Sequence, residues 1–334
     1  TRVLTAVPTA APLCLGDKQL TTVHHGIDEV RVLRNLGIDA PSPIMYYYDW
    51  PGRFAPFEHQ KATAAFLTLT QRGLVLNEIG TGKSNSALWA ADYLMNEGHA
   101  KRVLIVSPLS TLERVWHDAI FEHLSHRTAV VLYGSAARRK KMLAHDADFY
   151  IINHDGFSIL SNQMNDMFDI VIVDEAAVYR NPSTKRFKML RKWMDNQPTT
   201  TRLWLMTGTP TPNEPTDAWA LAKLVNSPFI PPSYHAFREQ VMFKHGMYTW
   251  LPRPNSAELV KDVLQPSVRY TRDECLDLPD TIVQARRAEL TAEQGKHYKD
   301  MVRNLVTEAA AGTITAANEA VKLQKLIQIA CGVA

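Results

Sequence analysis

The sequence predicts an α/β fold: a doubly wound, mostly parallel sheet with helices on both faces, preceded by a small accessory region. Three observations carry that prediction. First, the short apolar run Gly73-Leu74-Val75-Leu76 is followed by Asn77 to Ser84 (NEIGTGKS) and then by helical spacing from Ser86 to Leu94. Strand, glycine-containing turn and helix is the context in which Gly-Lys-Ser cradles phosphate. Second, strand-like and helix-like segments alternate from Glu58 to Trp219, and the strands are continuously apolar, as they are when helices cover both faces of a parallel sheet. Third, the strand Asp169-Ile170-Val171-Ile172-Val173 ends in Asp174-Glu175, which places two carboxylates at the edge where such sheets bind ligands.

Taken in order, residues 1–56 lack the alternation. Pro8, Pro12, Pro41, Pro43, Pro51 and Pro56 punctuate them, and only Asp28–Leu36 has helical spacing. The cluster Tyr46-Tyr47-Tyr48-Asp49-Trp50 has two readings: a platform for stacking on bases, or packing of the accessory region onto the next domain, which is the commoner use. Then come a helix (Glu58–Thr70), the strand at Leu74 and the helix after the loop. The strand Val103–Ser107, helix Leu112–His123, strand Ala129–Leu132 and helix Ala136–Ala144 follow. The last part of the alternation is the strand Phe149–Ile152, the strand Ile170–Val173, a helix over Thr184–Met194 and the strand Arg202–Met206. Residues Asn226–Pro254 read as irregular. A helix at Ala257–Leu264, a strand over Thr281–Leu290 and helices over Ala292–Ala311 and Ala316–Ala330 complete the chain. The predicted domains are an accessory region (1–56), the α/β domain (57–270) and a linker with the start of a further lobe (271–334).

Bulk properties exclude more than they assign. A length of 334 residues implies about two domains. Hydrophobic content of 46% with 21% charged residues is that of an ordinary globular protein. Lys+Arg 37 against Asp+Glu 34 leaves a net charge of +3, compatible with a nucleic-acid partner without demanding one. Cys14, Cys275 and Cys331 are scattered without metal-ligand spacing, which suits free thiols in a reducing compartment. No apolar run reaches membrane-spanning length and no secretory signal is visible, so a membrane partner is not expected.

The chemistry concentrates in the loop and the two carboxylates. Gly80 and Gly82 let backbone N–H groups curl around phosphate oxygens, and the helix that follows presents its positive end to an anion. Lys83 would reach the β- and γ-phosphates, and the Ser84 hydroxyl would ligate Mg²⁺. The full pattern G-x-x-x-x-G-K-[ST] has Gly where this chain has Asn77. Asp174 would hold Mg²⁺, and Glu175 would orient and deprotonate the attacking water. The strand Leu203–Met206 ends in Thr207-Gly208-Thr209-Pro210, a small polar turn that reads as a plain strand-to-helix loop or, given its place beside the two preceding motifs, as a sensor. Arg138 to Lys141 and Lys185 to Lys192 are candidate DNA contacts or solvated helix faces. His117, His123 and His126 lack a metal-ligand set, and Trp116 reads as core.

Together the segments PFEHQ, NEIGTGKS, VLIVSPLSTLERVWHDAI, INHDGF, VIVDEAAVYRNPSTKRFKMLR and LWLMTGTPTPNEPTDAW resemble the superfamily-two helicases, and within them the Swi/Snf-type double-stranded DNA translocases. The later run VRYTRDECLDLPDTIVQARRAELTAEQGKHY resembles that family's passage from first to second lobe, so the likeness spans about 57–334. It implies a RecA-like first lobe, ATP and Mg²⁺ as substrate and cofactor, and duplex DNA, with its bound proteins, as partner. Gln60 would read adenine. Gly80, Thr81, Gly82, Lys83 and Ser84 would bind the nucleotide, Ser84 and Asp174 the metal, and Lys83, Asp174 and Glu175 would carry catalysis. Pro108, Asn153, Thr207, Gly208 and Thr209 would touch the DNA backbone or couple it to ATP. Asn77 stands where that family has Asp, so the missing Gly is no departure.

Two departures remain. Ala177 replaces the His of the family's Asp-Glu-Ala-His motif, which puts tight DNA dependence in doubt. Further motifs of a second lobe, including an arginine that completes the ATP site, would lie beyond Ala334. The expectation is therefore weak binding and poor hydrolysis by these residues alone and both functions in an intact protein, because an absent arginine can cost about 10³-fold or more. The alternatives are a non-catalytic nucleotide- or DNA-binding scaffold, and an RNA or restriction-type relative, the former of these two disfavoured by the linker Arg269 to Pro279. A monomer from a phage or bacterium, acting in the cytoplasm, is the expectation from size (the nucleus if the source is eukaryotic).

Overall fold

A computed structural model of the chain describes residues 2–246, 249–275, 284–285, 287–304, 306–309, 312–315 and 319–332. It divides into two compact units, Thr1–Asp277 and Leu278–Ala334. The first is built on a seven-stranded sheet, every strand parallel to its neighbours. Across the sheet the strands run Ser267–Val268, Arg72–Val75, Arg202–Met206, Ile170–Val173, Val103–Ser107, Phe149–Asn153 and Ala129–Val131. The α/β fold expected from the sequence, a parallel sheet with helices on both faces, is thus present.

The strands are apolar throughout because both faces are covered, and the two-residue period sorts them cleanly. Leu74, Leu104, Val106, Tyr150, Ile152, Val171, Val173, Leu203 and Leu205 enter one core with the helices His154–Leu160, Lys185–Asp195 and Ala218–Val225. Val75, Val103, Ile105, Phe149, Ile151, Ile170, Ile172, Trp204 and Met206 enter the other with the helices Glu58–Leu69 and Lys83–Asn96. Burial of a Leu, Val or Ile side chain contributes roughly 1.5–3 kcal/mol each, so this double core holds the sheet rigid under its rim.

The accessory region packs on the second core. Its aromatic cluster divides: Tyr48 donates to the buried Asp92 carboxylate at 2.7 Å and Trp50 meets Trp89 edge-on, whereas Tyr46 and Tyr47 are 65% and 64% exposed. Trp89 in turn donates its indole N–H to Pro51 O at 2.8 Å. Asp92 also accepts from Arg127 Nε (2.6 Å) and His126 Nε2 (2.8 Å), so its buried charge is matched. His126 is thus engaged with Asp92 and His123 packs edge-on against Trp89; among the described residues no cluster able to hold a metal is found.

Three expectations about local structure change. Leu112–His123 is a π-helical turn (Leu112–His117) followed by an α-helical one (Asp118–His123), after a 3₁₀ turn at Leu109–Thr111. The Asn226–Pro254 stretch holds a helix, Tyr234–Val241, and a hairpin, Met242–Lys244 with Trp250–Pro252, because Phe237, Val241 and Met242 reach the core. Of the strand expected over Thr281–Leu290, residues 281–283 and 286 lie outside the described residues and the others form no strand.

The second unit contains the helices Ala292–Asn304 and Glu319–Ala330 and an antiparallel hairpin, Val306–Ala309 with Gly312–Thr315. The helix expected to reach Ala311 therefore stops early, at Asn304, just before the β-branched pair Val306-Thr307. Ala316, Ala317 and Asn318, the expected start of the last helix, lie outside the described residues. Met301 and Ile329 form a small core there with Tyr298 and Leu326. No helix among the described residues is long and apolar enough to cross a membrane.

Candidate active site

Parallel strands all end on one rim, and the rim here collects Asn77–Ser84, Pro108, His154, Asp174 and Thr207 in neighbouring positions. The loop's curl comes from Gly80 (φ 88°) and Gly82 (φ 78°), both left-handed, and Gly82 caps the helix Lys83–Asn96. Gly82 has a second reason to lack a side chain: a Cβ there would stand 2.0 Å from Gln60 Nε2. Around Gly80, by contrast, a Cβ would meet nothing within 4 Å, so the loop opens onto free space.

Lys83 bends back over the loop and donates to Asn77 O (2.9 Å) and Glu78 O (3.0 Å). Burial lowers its pKa, and the charges of Asp174, Glu175 and Glu78 pull it back up. A part-buried ammonium in the field of three carboxylates, beside a loop open at Gly80, suits a phosphate with a divalent cation. Ser84 and Asp174 carry the hard oxygen donors that could hold such a cation.

Asp174 is 8% exposed. Burial pushes its carboxyl above the ordinary value, and the Trp116 indole N–H, donating to Oδ2 at 3.1 Å, opposes that rise. Its Oδ1 accepts from Glu175 N at 3.0 Å. Glu175 adopts φ 48°, ψ 48°, a left-handed backbone that costs a non-glycine residue roughly 1 kcal/mol. Such strain at a rim carboxylate fits a site where orientation matters more than stability.

The Thr207–Pro210 turn closes on the loop. A Cβ at Gly208 would lie 3.4 Å from both Asn77 O and Ile79 N, and Thr207 is fully buried, its N–H bonded to Val75 O at 3.0 Å. The Thr207 hydroxyl accepts from Thr209 N at 3.2 Å.

With this geometry in view, a sequence model of the SNF2-related domain matches residues 59–331. The chain belongs to the SNF2-related family. It is 26% identical over 297 residues to putative protein p41 of Acyrthosiphon pisum secondary endosymbiont phage 1, covering 84% of this chain and 64% of that protein. It is 25% identical over 262 residues to the helicase-like transcription factor of Oryctolagus cuniculus, covering 75% of this chain and 25% of that one. The SWI2/SNF2 ATPase core of Sulfolobus solfataricus, solved in complex with dsDNA, shares the fold with a TM-score of 0.55 at 22% identity, over 84% of this chain and 59% of that one. The chain thus spans less than two thirds of the length of these relatives.

Within this SNF2-related fold, Gln60 is more committed than an adenine reader need be. Its Oε1 accepts from Phe57 N (3.0 Å) and its Nε2 donates to Thr81 O (3.1 Å), which leaves one donor and one lone-pair site for a base. His59 Nε2 also sits 2.8 Å from Thr81 O, and Phe57 stacks on His59. A cavity of about 670 Å³ opens beside them, lined by Met45, Phe57, His59, Arg269, Tyr270 and Cys275. Residues this far apart gave no sequence signal for a common wall.

Asn77 is fully buried and works as a strut: its Nδ2 donates to Thr63 Oγ1 at 2.9 Å, and its Oδ1 accepts from Tyr270 N at 3.1 Å. Asn153 is held likewise, its Oδ1 accepting from Arg139 Nη1 at 2.9 Å. Arg139, inside a basic run, is buried and also donates to Leu132 O (2.7 Å) and Gly134 O (2.8 Å), while Arg138, Lys140 and Lys141 are exposed. In the helix Lys185–Asp195, Phe187, Leu190, Trp193 and Met194 face the core and Lys185, Lys188 and Lys192 face outward. Pro108 is half-buried and its carbonyl caps the 3₁₀ turn through Thr111.

Sequence reasoning missed three contacts. Trp116 is core, as read, and also a ligand of Asp174's carboxylate. Arg180 bonds Ala177 O (3.1 Å) and pairs with Asp217 at 3.7 Å, which joins the turn after Glu175 to the segment after Pro210. His154 Nδ1 lies 3.1 Å from the Tyr179 hydroxyl, and burial, with Arg186 nearby, lowers its pKa to about 4. The arrangement around Ala177 therefore has polar links of its own where the family uses a His.

Proposed function

We propose that this chain is the nucleotide-binding, ATP-hydrolysing part of a motor that moves on duplex DNA. The observation that carries the reading is the meeting of Lys83 with Asp174 and Glu175 on one rim, close enough for both carboxylates to act on the lysine's charge. Lys83 would exchange its two carbonyl acceptors for the β- and γ-phosphate oxygens, a stronger, charge-assisted pairing. Ser84 and Asp174 would hold Mg²⁺, which supplies neutralisation of phosphate charge when bound. Glu175 would accept a proton from the attacking water. Gln60 and Thr81 would border the base and phosphates.

Pro108, Asn153 and the Thr207–Thr209 turn lie on the same rim, so a DNA backbone laid along it would sit over strands already joined to the nucleotide loop. Asn153 would act there by holding its loop through Arg139. Contacts of this kind read phosphate and not bases, as motion along any sequence requires. DNA as partner is supported by the family and by the DNA-bound Sulfolobus core that shares the fold.

A second reading, a binding module without turnover, is favoured by Ala177. ATPase assays on the full-length protein with and without duplex DNA separate the two. DNA-stimulated turnover that Lys83→Ala abolishes is the expected result. Nucleotide binding without any such turnover would overturn the motor reading and leave the module.

A further inference from the structure

Trp116 has a role that filling space does not explain. It is fully buried on the π-helical turn Leu112–His117, and a buried indole N–H needs an acceptor. The acceptor it finds, 58 residues away, is Oδ2 of the metal-site carboxylate Asp174, at 3.1 Å. The other oxygen, Oδ1, takes the main-chain N–H of Glu175 (3.0 Å), and Asp174's own N–H bonds Val106 O (2.8 Å). Rotation of the carboxylate is thus stopped on both sides. Each oxygen still has a lone-pair site for a cation.

Val106 and Trp116 belong to one unbroken stretch: the strand Val103–Ser107, Pro108, the 3₁₀ turn Leu109–Thr111 and the π turn. Pro108, proposed above to touch the DNA backbone, opens the segment Pro108–Leu112 within that stretch. A π turn carries an extra residue per hydrogen-bonded ring and marks functional positions in helices more often than chance. Here it sets the indole against the carboxylate. Movement of the segment would change the direction from which Asp174 is held.

We propose that Trp116 is a positioning residue: its indole N–H fixes the Asp174 carboxylate for Mg²⁺ and ties it to the Pro108–Leu112 segment, so that DNA and metal-nucleotide binding are coupled through it. This rests on the nucleotide-site reading above. It also supplies a link between DNA and the metal carboxylate that does not pass through position 177.

The test replaces Trp116 with β-(3-benzothienyl)alanine, which substitutes sulfur for the N–H in nearly the same shape, and separately makes Trp116→Phe. On the full chain, a fluorescent ATP analogue is titrated at a series of Mg²⁺ concentrations and in EDTA. The wild-type chain is expected to bind the analogue more tightly as Mg²⁺ rises. In the benzothienyl variant the Mg²⁺ concentration at half-effect should rise roughly tenfold or more, the loss seen when groups orienting metal ligands are removed, with affinity in EDTA unchanged. Duplex DNA affinity, measured with and without the Mg²⁺–analogue complex, should differ in the wild type and converge in the variant, because coupling is reciprocal. An unchanged Mg²⁺ half-point overturns the proposal. Equal weakening in EDTA and in Mg²⁺ overturns it too, since that is the signature of packing alone. A wild-type chain that binds no analogue at all overturns the nucleotide-site reading itself, and the proposal with it.

Discussion

Along the rim, the curl of the Asn77–Ser84 loop comes from its own main chain, with Thr63, Tyr270, His59 and Gln60 bracing it from outside, whereas the Asp174–Asn153 half is held chiefly by side chains from other segments. In the first half, two left-handed glycines, the Lys83 bonds to Asn77 O and Glu78 O, and Thr81's bonds to Glu78 O shape the loop within eight residues. In the second, Trp116 fixes Asp174, Arg139 fixes Asn153, Arg180 pairs with Asp217 and Tyr179 meets His154. A loop whose curl is set by its own glycines needs little from elsewhere to take that curl. A half-rim assembled from remote side chains can shift when those segments shift, which is what coupling to a second ligand needs.

The largest effect expected from this contrast is at Glu175. Glu175→Gln should lower turnover by roughly 10²–10⁴-fold, the range of a lost general base, while nucleotide affinity stays near wild type. Single-turnover and equilibrium binding measurements separate the two quantities. Wild-type turnover in the variant would remove Glu175 from the water-activating role.

Next come the two arginines of one basic run, which the contrast places in opposite classes. Arg139→Met leaves Leu132 O, Gly134 O and Asn153 Oδ1 without their donor and should cost about 3 kcal/mol in urea unfolding. Arg138→Met, on the exposed face, should leave stability within about 0.5 kcal/mol. If Arg138 contacts a phosphate, its loss should reduce the salt slope of DNA binding by about 1. The reverse pattern would break the division of the rim.

His154 gives a comparable effect that depends on pH. Its pKa is lowered from 6.5 to about 4, chiefly by burial, so the unfolded chain binds the proton more readily than the folded one. Stability from this group is fully present above pH 6.5 and is lost as pH falls towards 4, by on the order of 3 kcal/mol. His154→Phe should flatten the unfolding free energy across that window, though it leaves the Tyr179 hydroxyl without its partner. An equally steep acid limb in the variant would assign the loss to other groups.

The same contrast decides what was legible in the sequence. The sheet, its rim and the phosphate loop were readable because apolar runs and the glycine spacing are local signals. Asp174 and Glu175 were readable from their place at a strand end. Trp116 was visible as a buried aromatic, but which acceptor its N–H would meet depends on strand order and on a π turn that no residue type announces. Arg139 looked like its solvated neighbours, and only the approach of the Phe149–Asn153 strand to Ala129–Val131 turns it inward. Gly156 belongs with it: a Cβ there would lie 2.0 Å from Arg139 Nη1, a constraint created by packing alone.

Asn77 gives the most demanding test of the loop half. Asn77 stands where the family has Asp, and the two side chains have the same shape, so Asn77→Asp exchanges a buried amide donor for a carboxylate oxygen and its charge. Thr63 gives its single hydroxyl proton to His59 O at 2.7 Å and receives the Asn77 Nδ2–H on a lone pair. An Asp carboxylate would still accept from Tyr270 N but would set an acceptor against Thr63 Oγ1. Either Thr63 turns its proton away from His59 O, or two oxygens face each other. Both outcomes lose about one hydrogen bond, roughly 1 kcal/mol, on top of the cost of burying a carboxylate, which attraction to the nearby Lys83 ammonium offsets in part. A double-mutant cycle with Thr63→Val isolates that term, because Val removes the hydroxyl that creates the conflict. A coupling energy within error of zero would mean that Asn77 is set by Tyr270 and the loop backbone alone. The strut to the Glu58–Leu69 helix would then be dispensable.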